Sequence, residues 1–400
     1  MAVCQCLEEK VQCNNTMEIH MAKGYVPDEK IYPSQSYGKL SILDMLRNFE
    51  EKGTMRISDL HLKIGLPPLY RIDGKLVRLK GPPLTQELVE QLIYPLLTDK
   101  TLAKFQDTYS IDSSYQVGSI QVRINVFRER DGISAAIRAL SLKIPSIEQI
   151  GFPNDIWKDI ISLTNGLVLV TGVAGSGKST TIASLIEKIN EQFPYRIIML
   201  EDPIEYVHQQ KLSAISQREL GRDVGTFADG LKAVLREDPN VVVVGEMRDP
   251  ETIMMTLMAA ETGHLVLSTL HTRDAAGTLT RILDYFPEGR QSEIVKSQLS
   301  LSLKYIISQK LIPRKNGAGR IVAMEILNND YASANLIRMG KMEQIYTQMQ
   351  TKTQNRPDQK MITLEKHLAV LVRDGSIDLA EAHRWANSVK AFEDEMKQDN

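Results

Sequence analysis

Ten residues near the middle of the chain constrain its fold more than any other segment. The stretch GVAGSGKSTT, residues 172–181, follows the apolar run GLVLV and precedes a segment with a helical pattern. It matches the phosphate-loop pattern Gly-x-x-x-x-Gly-Lys-Ser, which requires a strand before it and a helix after it. The segment therefore predicts a nucleotide site in an α/β domain.

Each part of this loop suits a phosphate group for its own reason. Glycines let backbone N–H groups face the β-phosphate, Lys178 offers a positive charge to the β and γ oxygens, and Ser179 can bind Mg²⁺. We therefore expect ATP and Mg²⁺ as ligands. The expected nucleotide-binding residues are Gly172, Gly175, Ser176, Gly177, Lys178, Ser179 and Thr180.

Four apolar runs after residue 151 alternate with helical segments. They are GLVLVTG, RIIMLED, VVVVGEM and HLVLSTLH. Continuous apolar runs of this length are typical of strands that are buried on both faces of a sheet. They predict a parallel sheet with right-handed crossover helices.

Acidic residues follow two of these runs. Glu201 and Glu205 follow the second run, and Glu246 follows the third. In an open α/β sheet, ligands bind at the carboxyl ends of the strands, so these acids should face the phosphates. An acid on the strand beside the loop can hold the Mg²⁺ water shell or orient the attacking water, and Glu246 is the better candidate for the second role. The alternative is that all three are solvated residues at strand ends.

Two histidines bracket the fourth apolar run. His264 precedes it and His271 follows it, so they lie at opposite ends of the expected strand and only His271 lies at the phosphate end. His271 is expected to sense the γ-phosphate or to contact a neighbouring subunit. His264 is expected to brace a turn or an interface. Neither has spacing to other ligands that suits a metal site.

Composition shifts divide the chain into segments. Residues 37–140 predict a smaller α+β domain, with a helix that begins after Ser41 and ends at Gly53, a hairpin that turns at Asp73-Gly74, and a second hairpin in SIQVRINVFRERDGISAAIRAL. The expected segments are a flexible leader 1–36, the α+β domain 37–140, a linker 141–150, an ATPase core 151–290, a mainly helical region 291–390 with one strand candidate at GRIVAMEIL, and a frayed tail 391–400.

All three cysteines, Cys4, Cys6 and Cys13, lie in the expected leader. Without nearby histidines they favour solvated thiols over a metal site or a structural disulfide. No signal peptide opens the chain, and no run approaches the roughly 18 apolar residues of a membrane span. We expect a cytoplasmic protein that meets a membrane only through partners.

Arginines are concentrated on the second expected hairpin of the α+β domain. Arg123, Arg128, Arg130 and Arg138 fall within sixteen residues. Phosphoryl transfer needs positive charge near the transition state, often from another subunit or domain. We expect at least one of these arginines to make such a contact. The whole chain, in contrast, has 48 basic and 50 acidic residues, so bulk charge does not favour nucleic acid as a partner.

Six motifs together resemble those of the type II/type IV secretion ATPase superfamily, most closely its type IV pilus retraction branch, over residues 38–380. The motifs are SDLHLKIGLPP, RIDG, the phosphate loop, LEDPIEYVH, LREDPNVVVVGEMRD and AAETGHLVLSTLHT. The resemblance implies a homohexameric ring that hydrolyses ATP to retract pili in twitching motility. It also implies an inner-membrane platform protein as partner, and a cytoplasmic location at the inner membrane.

The resemblance further implies an N-terminal PAS-like domain, a RecA-like motor domain, and nucleotide between them. By that resemblance Glu246 is the catalytic glutamate. The remaining family residues are Glu201 and Glu205 of the Asp box, His264 and His271 of the His box, and Arg123 and Arg138, which match arginines of the family's first domain.

Several differences from the wider family bear on the branch to which the chain is similar. The chain has neither the longer N-terminal region nor the four-cysteine zinc module of assembly and secretion members, which favours retraction. The phosphate loop has Val173-Ala174 where Pro-Thr is common, and the late helix reads SANLIRMGK where the family reads AIRNLIR. The latter leaves an accessory retraction ATPase open. A secretion or conjugation ATPase, a nucleic-acid translocase and a scaffold that binds nucleotide without hydrolysing it also stay open.

Overall fold

A computed structural model describes residues 25–49, 57–72, 75–118, 120–140, 144–315, 317, 319–355 and 360–397. The chain folds into two compact units, Met1–Leu142 and Lys143–Asn400. The division falls inside the expected linker 141–150. Four residues of that linker, Ile147–Ile150, form a helical turn. The three cysteines lie outside the described residues.

The first unit is built on a six-stranded antiparallel sheet in the order β5-β4-β3-β8-β7-β6, with a separate β1-β2 ribbon. Its strands are β1 (Tyr32–Ser34), β2 (Gly38–Leu40), β3 (Ile57–Lys63), β4 (Leu69–Ile72), β5 (Lys75–Arg78), β6 (Ser110–Val117), β7 (Ile120–Glu129) and β8 (Gly132–Leu140). Its helices are α1 (Ile42–Arg47), α2 (Gln86–Ile93) and α3 (Asp99–Thr108), with a 3-10 turn at Tyr94–Leu96. The strand pairs of both predicted hairpins are present, as β4-β5 and β7-β8, and the predicted turn residues Asp73 and Gly74 lie outside the described residues.

The first helix begins at the predicted cap. The Ser41 hydroxyl accepts a hydrogen bond from the Asp44 backbone N–H at 3.0 Å, and the Asp44 carboxylate accepts one from the Ser41 N–H at 3.1 Å. This reciprocal pair satisfies two helix-end donors. The helix ends at Arg47, earlier than the predicted stop at Gly53, which lies outside the described residues.

The N-terminal boundary of the first unit differs from the expectation. The expected leader reached residue 36, but β1 lies within it, and Tyr32 is fully buried with its hydroxyl donating to the Pro82 carbonyl at 3.0 Å. Ordered structure therefore begins before the predicted boundary. A three-residue strand is too short to produce a visible sequence period, because its alternation repeats only once.

The second unit is built on a seven-stranded sheet in the order β11-β10-β12-β13-β9-β14-β15. All neighbouring strands pair in parallel except β14 and β15, which are antiparallel. The strands are β9 (Gly166–Thr171), β10 (Arg196–Glu201), β11 (Ala214–Glu219), β12 (Val241–Val244), β13 (Leu265–Leu270), β14 (Leu303–Pro313) and β15 (Arg320–Asn328).

Helices precede and lie between the strands of this sheet in the sequence, and further helices follow its last strand, β15. They are α4 (Ile147–Ile150), α5 (Ile156–Ile161), α6 (Lys178–Gln192), α7 (Phe227–Val234), α8 (Pro250–Glu261), α9 (Ala275–Leu283), α10 (Arg290–Ser302), α11 (Tyr331–Arg338), α12 (Ile345–Asn355), α13 (Leu364–Arg373), α14 (Leu379–Trp385) and α15 (Val389–Lys397), with a 3-10 turn at Met342–Gln344. The mixed α/β class with a parallel-rich sheet and a helical C-terminal region is confirmed.

The two faces of the central strands pack into two different hydrophobic clusters. In β9, Leu167 and Leu169 belong to one cluster, while Val168 and Val170 belong to the other. Every residue of β9, β12 and β13 is buried. This two-sided burial explains why these strands read as unbroken apolar runs in the sequence.

Three expectations about the second unit need correction. The sheet continues past residue 290, because β14 and β15 lie inside the region expected to be mainly helical, although β15 is the predicted strand GRIVAMEIL. Strand β11 was not predicted, because its sequence AISQRE is mostly polar. The expected frayed tail contributes α15, in which Phe392 is fully buried. Among the described residues, no helix has the length and apolar character that crossing a membrane requires.

Candidate active site

The phosphate loop connects β9 to α6, as predicted. Three of its positions have a positive φ, at +146° for Gly172, +74° for Gly175 and +92° for Gly177. Residues with a side chain rarely adopt this conformation. At Gly172 there is also no space, because an added Cβ would lie 2.5 Å from the Gln309 carbonyl oxygen. The glycines are therefore required by the loop's own shape.

Lys178 begins α6 and is buried at 8% exposure. Its Nζ donates to the carbonyl oxygens of Gly172, at 3.0 Å, and Val173, at 3.3 Å. Burial lowers the pKa of this amine, and the negative charges of Glu246 and Glu205 oppose that effect. Two of the three predicted acids thus act on the lysine of the phosphate loop.

Glu246 follows β12 and lies beside the loop. Its Oε2 accepts from Arg248 Nη2 at 2.8 Å and lies 3.4 Å from His271 Nε2. His271 Nδ1 lies 3.4 Å from Lys178 Nζ. Because an ammonium group only donates, Nδ1 is the acceptor in the contact with Lys178, and the other ring nitrogen, Nε2, faces Glu246. His271 therefore bridges the loop lysine and the candidate catalytic acid.

Arg248 was not predicted to have a role. Its guanidinium contacts Glu246 and also lies 3.6 Å from Asp202 Oδ2, so it joins the acids that follow two neighbouring strands. The only sequence signal was its position two residues after Glu246. In Glu246-Met247-Arg248 the two side chains can share a face only if the segment is extended, and the sequence pattern does not fix that conformation.

Glu201 ends β10, and its Oε1 accepts from Gln217 Nε2 at 2.8 Å. Burial raises the pKa of this carboxyl to about 7, the Gln217 hydrogen bond opposes the rise, and the Glu205 and Glu219 charges add to it. Glu205 is exposed. Next to it, the Tyr206 hydroxyl lies 2.9 Å from Thr180 Oγ1 on the first turn of α6.

We predict that Glu201→Gln stabilises the nucleotide-free protein in a pH-dependent way. Glu201 is neutral in the folded and unfolded chain below its ordinary pKa of 4.5, and only the unfolded chain ionises between 4.5 and about 7. Stability is therefore lost as pH rises through this window. At pH 8 the variant should be more stable by about 2 kcal/mol, and at pH 5 by less than about 1 kcal/mol.

Thermal unfolding at the two pH values measures this difference. Glu288→Gln is the matched control, because Glu288 is an exposed carboxyl of the same unit and is not among the charges that act on Glu201, so the same change there should shift the midpoint equally little at both pH values. A stabilisation by Glu201→Gln that is the same at pH 5 and pH 8 contradicts the prediction.

His264 lies at the other end of β13 from the loop. Its backbone carbonyl accepts from the Gly166 N–H at the start of β9, and its Nδ1 lies 2.9 Å from the Ala259 carbonyl and 3.2 Å from Thr262 Oγ1. It braces the turn between α8 and β13, one of the two roles expected for it. The structure does not bring His264 to the phosphate loop with His271 and Glu246.

Arg123 and Arg138 lie side by side in the first unit, because they are paired directly across β7 and β8. Arg138 Nε donates to Asp59 Oδ1 at 2.7 Å, and Arg71 Nε lies 3.3 Å from the other oxygen of this buried carboxylate. Arg123 Nε contacts Asp112 at 3.2 Å. The structure thus places the two arginines of the family resemblance in one row across the sheet.

The other two arginines of the hairpin differ from this pair. The guanidinium of Arg128 lies 5.2 Å from the centre of the Tyr109 ring, in a cation–π contact. Arg130 is exposed just after β7. Of the four hairpin arginines, Arg123 and Arg138 are the pair that lies directly opposite across two strands.

Gln309 on β14 is a further residue that the sequence did not indicate. It is buried, its Nε2 donates to the Ser176 carbonyl at 2.7 Å, and its Oε1 accepts from Thr181 Oγ1 at 3.0 Å. No local pattern could reveal it, because more than 120 residues separate it from both partners. The loop is thus anchored from a strand that is distant in the sequence.

The chain is similar to known proteins over most of its length. The family model described as "Type II/IV secretion system protein" matches residues 58–371. The type IV pilus retraction ATPase PilT of Pseudomonas aeruginosa is 42% identical over 336 residues, which cover 84% of this chain and 96% of that protein. A twitching motility protein of Neisseria gonorrhoeae is 42% identical over 326 residues, 81% of this chain and 86% of the relative.

A solved structure is also similar to this chain in its three-dimensional fold. The crystal structure of the pilus retraction motor PilT with bound ADP superposes with a TM-score of 0.81 at 43% sequence identity. The match covers 89% of this chain and 100% of that one. The similarity therefore extends over both compact units.

Proposed function

The chain belongs to the type II/IV secretion system protein family, and from this premise we propose that it is the ring-forming motor that retracts type IV pili. It is an ATP-hydrolysing enzyme, as its relatives are. The observation that carries the proposal is the line of side chains from Lys178 through His271 to Glu246, at the carboxyl ends of the neighbouring strands β9, β13 and β12.

Each residue of the site has a separate role in ATP hydrolysis. The loop N–H groups and Lys178 hold the β- and γ-phosphates, where negative charge increases during phosphoryl transfer. The Glu246 carboxylate accepts a hydrogen bond from the attacking water, which orients the water, and then accepts its proton as a general base. His271 contacts both Glu246 and Lys178 and so fixes their relative positions. The water bound by Glu246 and the phosphate bound by Lys178 therefore meet in a fixed orientation.

The site also fits Mg²⁺. Among the described residues, no group of three or more histidines, cysteines or acids is arranged to hold a metal by itself. This agrees with the usual behaviour of Mg²⁺, which binds through one or two oxygen groups and the substrate phosphates. Ser179 would supply the hydroxyl oxygen, and Glu201 and Glu205 would hold the water shell. The ion would supply positive charge to the phosphates.

The proposed working form is a homohexamer. Arg123 and Arg138 are the residues expected to reach the phosphates from the first unit, and phosphoryl transfer enzymes often receive such an arginine from another domain or subunit. The proposed partner is an inner-membrane platform protein, and the proposed location is the cytoplasmic side of that membrane. The net charge of −2 gives no reason to expect nucleic acid as a partner.

An accessory retraction role is the second candidate, and one observation favours it. The helix α11 keeps Asn335, Leu336, Ile337 and Arg338 of the family motif but not the residues before them. Secretion and conjugation ATPases share the fold but fit the sequence less well.

Pilus behaviour in cells tests the proposal. We predict that Glu246→Gln at the native locus produces static, over-abundant pili, observed with fluorescently labelled fibres. The matched control is Glu393→Gln, at an exposed position of α15, with normal dynamics expected. Cells without pili would point to assembly or secretion instead. Unchanged dynamics would mean that the chain is accessory or serves another machine.

A further inference from the structure

Gln309 contacts the phosphate loop from β14, the strand next to β9. Both polar atoms of its amide are hydrogen-bonded, one to the Ser176 carbonyl and the other to Thr181 Oγ1. We propose that Gln309 is a positioning residue that holds the phosphate loop in the shape that binds nucleotide. This inference rests on the nucleotide binding proposed above.

The two partners of Gln309 lie on either side of a flexible point. Ser176 precedes Gly177, whose φ is +92°, and Thr181 lies in the first turn of α6. Glycine has the widest backbone freedom of any residue, so the junction of loop and helix is the part of the motif with the least intrinsic stiffness. The Gln309 side chain spans this junction and fixes the loop relative to the helix.

The main chain of Gln309 restricts the loop as well. Its carbonyl oxygen occupies the space next to Gly172, where a Cβ would come within 2.5 Å. Gln309 therefore restricts the conformation of the loop both at Gly172, through its main chain, and around Gly177, through its side chain. The adjacent Ser308 adds a hydroxyl contact to Thr171 at 2.8 Å, at the end of β9.

The expected effect follows from the cost of ordering the loop. A nucleotide binds only loop conformers whose N–H groups converge, so the apparent dissociation constant rises as the fraction of such conformers falls. The two side-chain hydrogen bonds of Gln309 both go to the loop and the helix after it, so the expected role of the side chain is to support the loop and not to act on the reacting groups. Its loss should therefore raise the ADP dissociation constant and the KM for ATP and leave kcat nearly unchanged.

The experiment compares Gln309→Met with wild type, using the full chain with Mg²⁺. Methionine has a similar length but cannot replace the hydrogen bonds, and titration calorimetry with ADP measures the affinity. We expect the ADP dissociation constant and the KM for ATP to rise about tenfold and kcat to stay within about threefold. The matched control, Gln291→Met on the exposed side of α10, should change neither.

Further outcomes distinguish a failure of this inference from a failure of the proposed nucleotide site. A folded Gln309→Met protein with the affinity of wild type overturns the inference, since a merely structural residue changes stability without changing affinity. A wild-type protein that does not bind ADP overturns the proposed nucleotide site itself. If Gln309→Met does not fold, Thr181→Val removes only one of the two bonds and should raise the dissociation constant about threefold. An unchanged value there also overturns the inference.

Discussion

Glu246→Gln is expected to lower kcat for ATP hydrolysis about a thousandfold and to change the affinity for ADP less than threefold. Glutamine keeps the shape of the side chain, so the contact with Arg248 can be kept through the amide oxygen. It cannot accept a proton from water, because the amide is not basic. The loss should therefore appear in the chemical step alone.

Steady-state hydrolysis and calorimetry with ADP, on the same preparation, measure the two effects. Glu393→Gln serves as the control and should hydrolyse ATP at the wild-type rate. If Glu246→Gln retains more than a tenth of wild-type turnover, another residue activates the water. If it loses affinity for ADP to the same extent as turnover, Glu246 supports the loop rather than the reaction.

Lys178→Ala is expected to weaken ADP binding at least a hundredfold and to abolish hydrolysis. The variant removes a charge-assisted contact to phosphate, and each such hydrogen bond contributes about 1.5–3 kcal/mol. It also removes the donor that Nζ offers to the Gly172 and Val173 carbonyls. The loop should thus lose both its charge and part of its internal support.

Lys188→Ala is the matched control, because Lys188 lies in the same helix and pairs with Glu191 at 3.6 Å, away from the loop. It should bind ADP like wild type. The measurement is calorimetric titration with ADP, with circular dichroism to confirm that both variants are folded. Wild-type affinity in a folded Lys178→Ala protein would mean that the phosphate loop is assigned wrongly.

The sequence predicted best those parts of the fold that depend on burial or local chemistry. Strands β9, β12 and β13 are buried on both faces, so their apolar runs are continuous and visible. The start of α1 was also predicted, because Ser41 accepts from the Asp44 N–H at 3.0 Å as a helix cap. Likewise, His271 follows its strand, and position along a parallel strand decides which end of the sheet a residue reaches.

Strand β14 could not be predicted by these means. Its sequence LKYIISQKLIP mixes apolar and polar residues without a period, because Ser308, Gln309 and Lys310 each have a partner elsewhere in the unit. These partners come from segments distant in the chain. Gln309 and Arg248 were missed for the same reason, since neither local spacing nor hydrophobic periodicity reports a contact that exists only after folding.

The same strand has a mechanical consequence. Lys310 Nζ donates to the Trp385 carbonyl at 2.8 Å and to Asn387 Oδ1 at 2.7 Å, between α14 and α15. Successive residues of a strand point to opposite faces, so Gln309 reaches the phosphate loop on one face and Lys310 reaches the C-terminal helices on the other. A force that pulls on those helices acts one peptide bond away from the anchor of the loop. Through β14, which pairs with β9 on one side and with β15 on the other, the phosphate loop is therefore joined directly to the C-terminal helices.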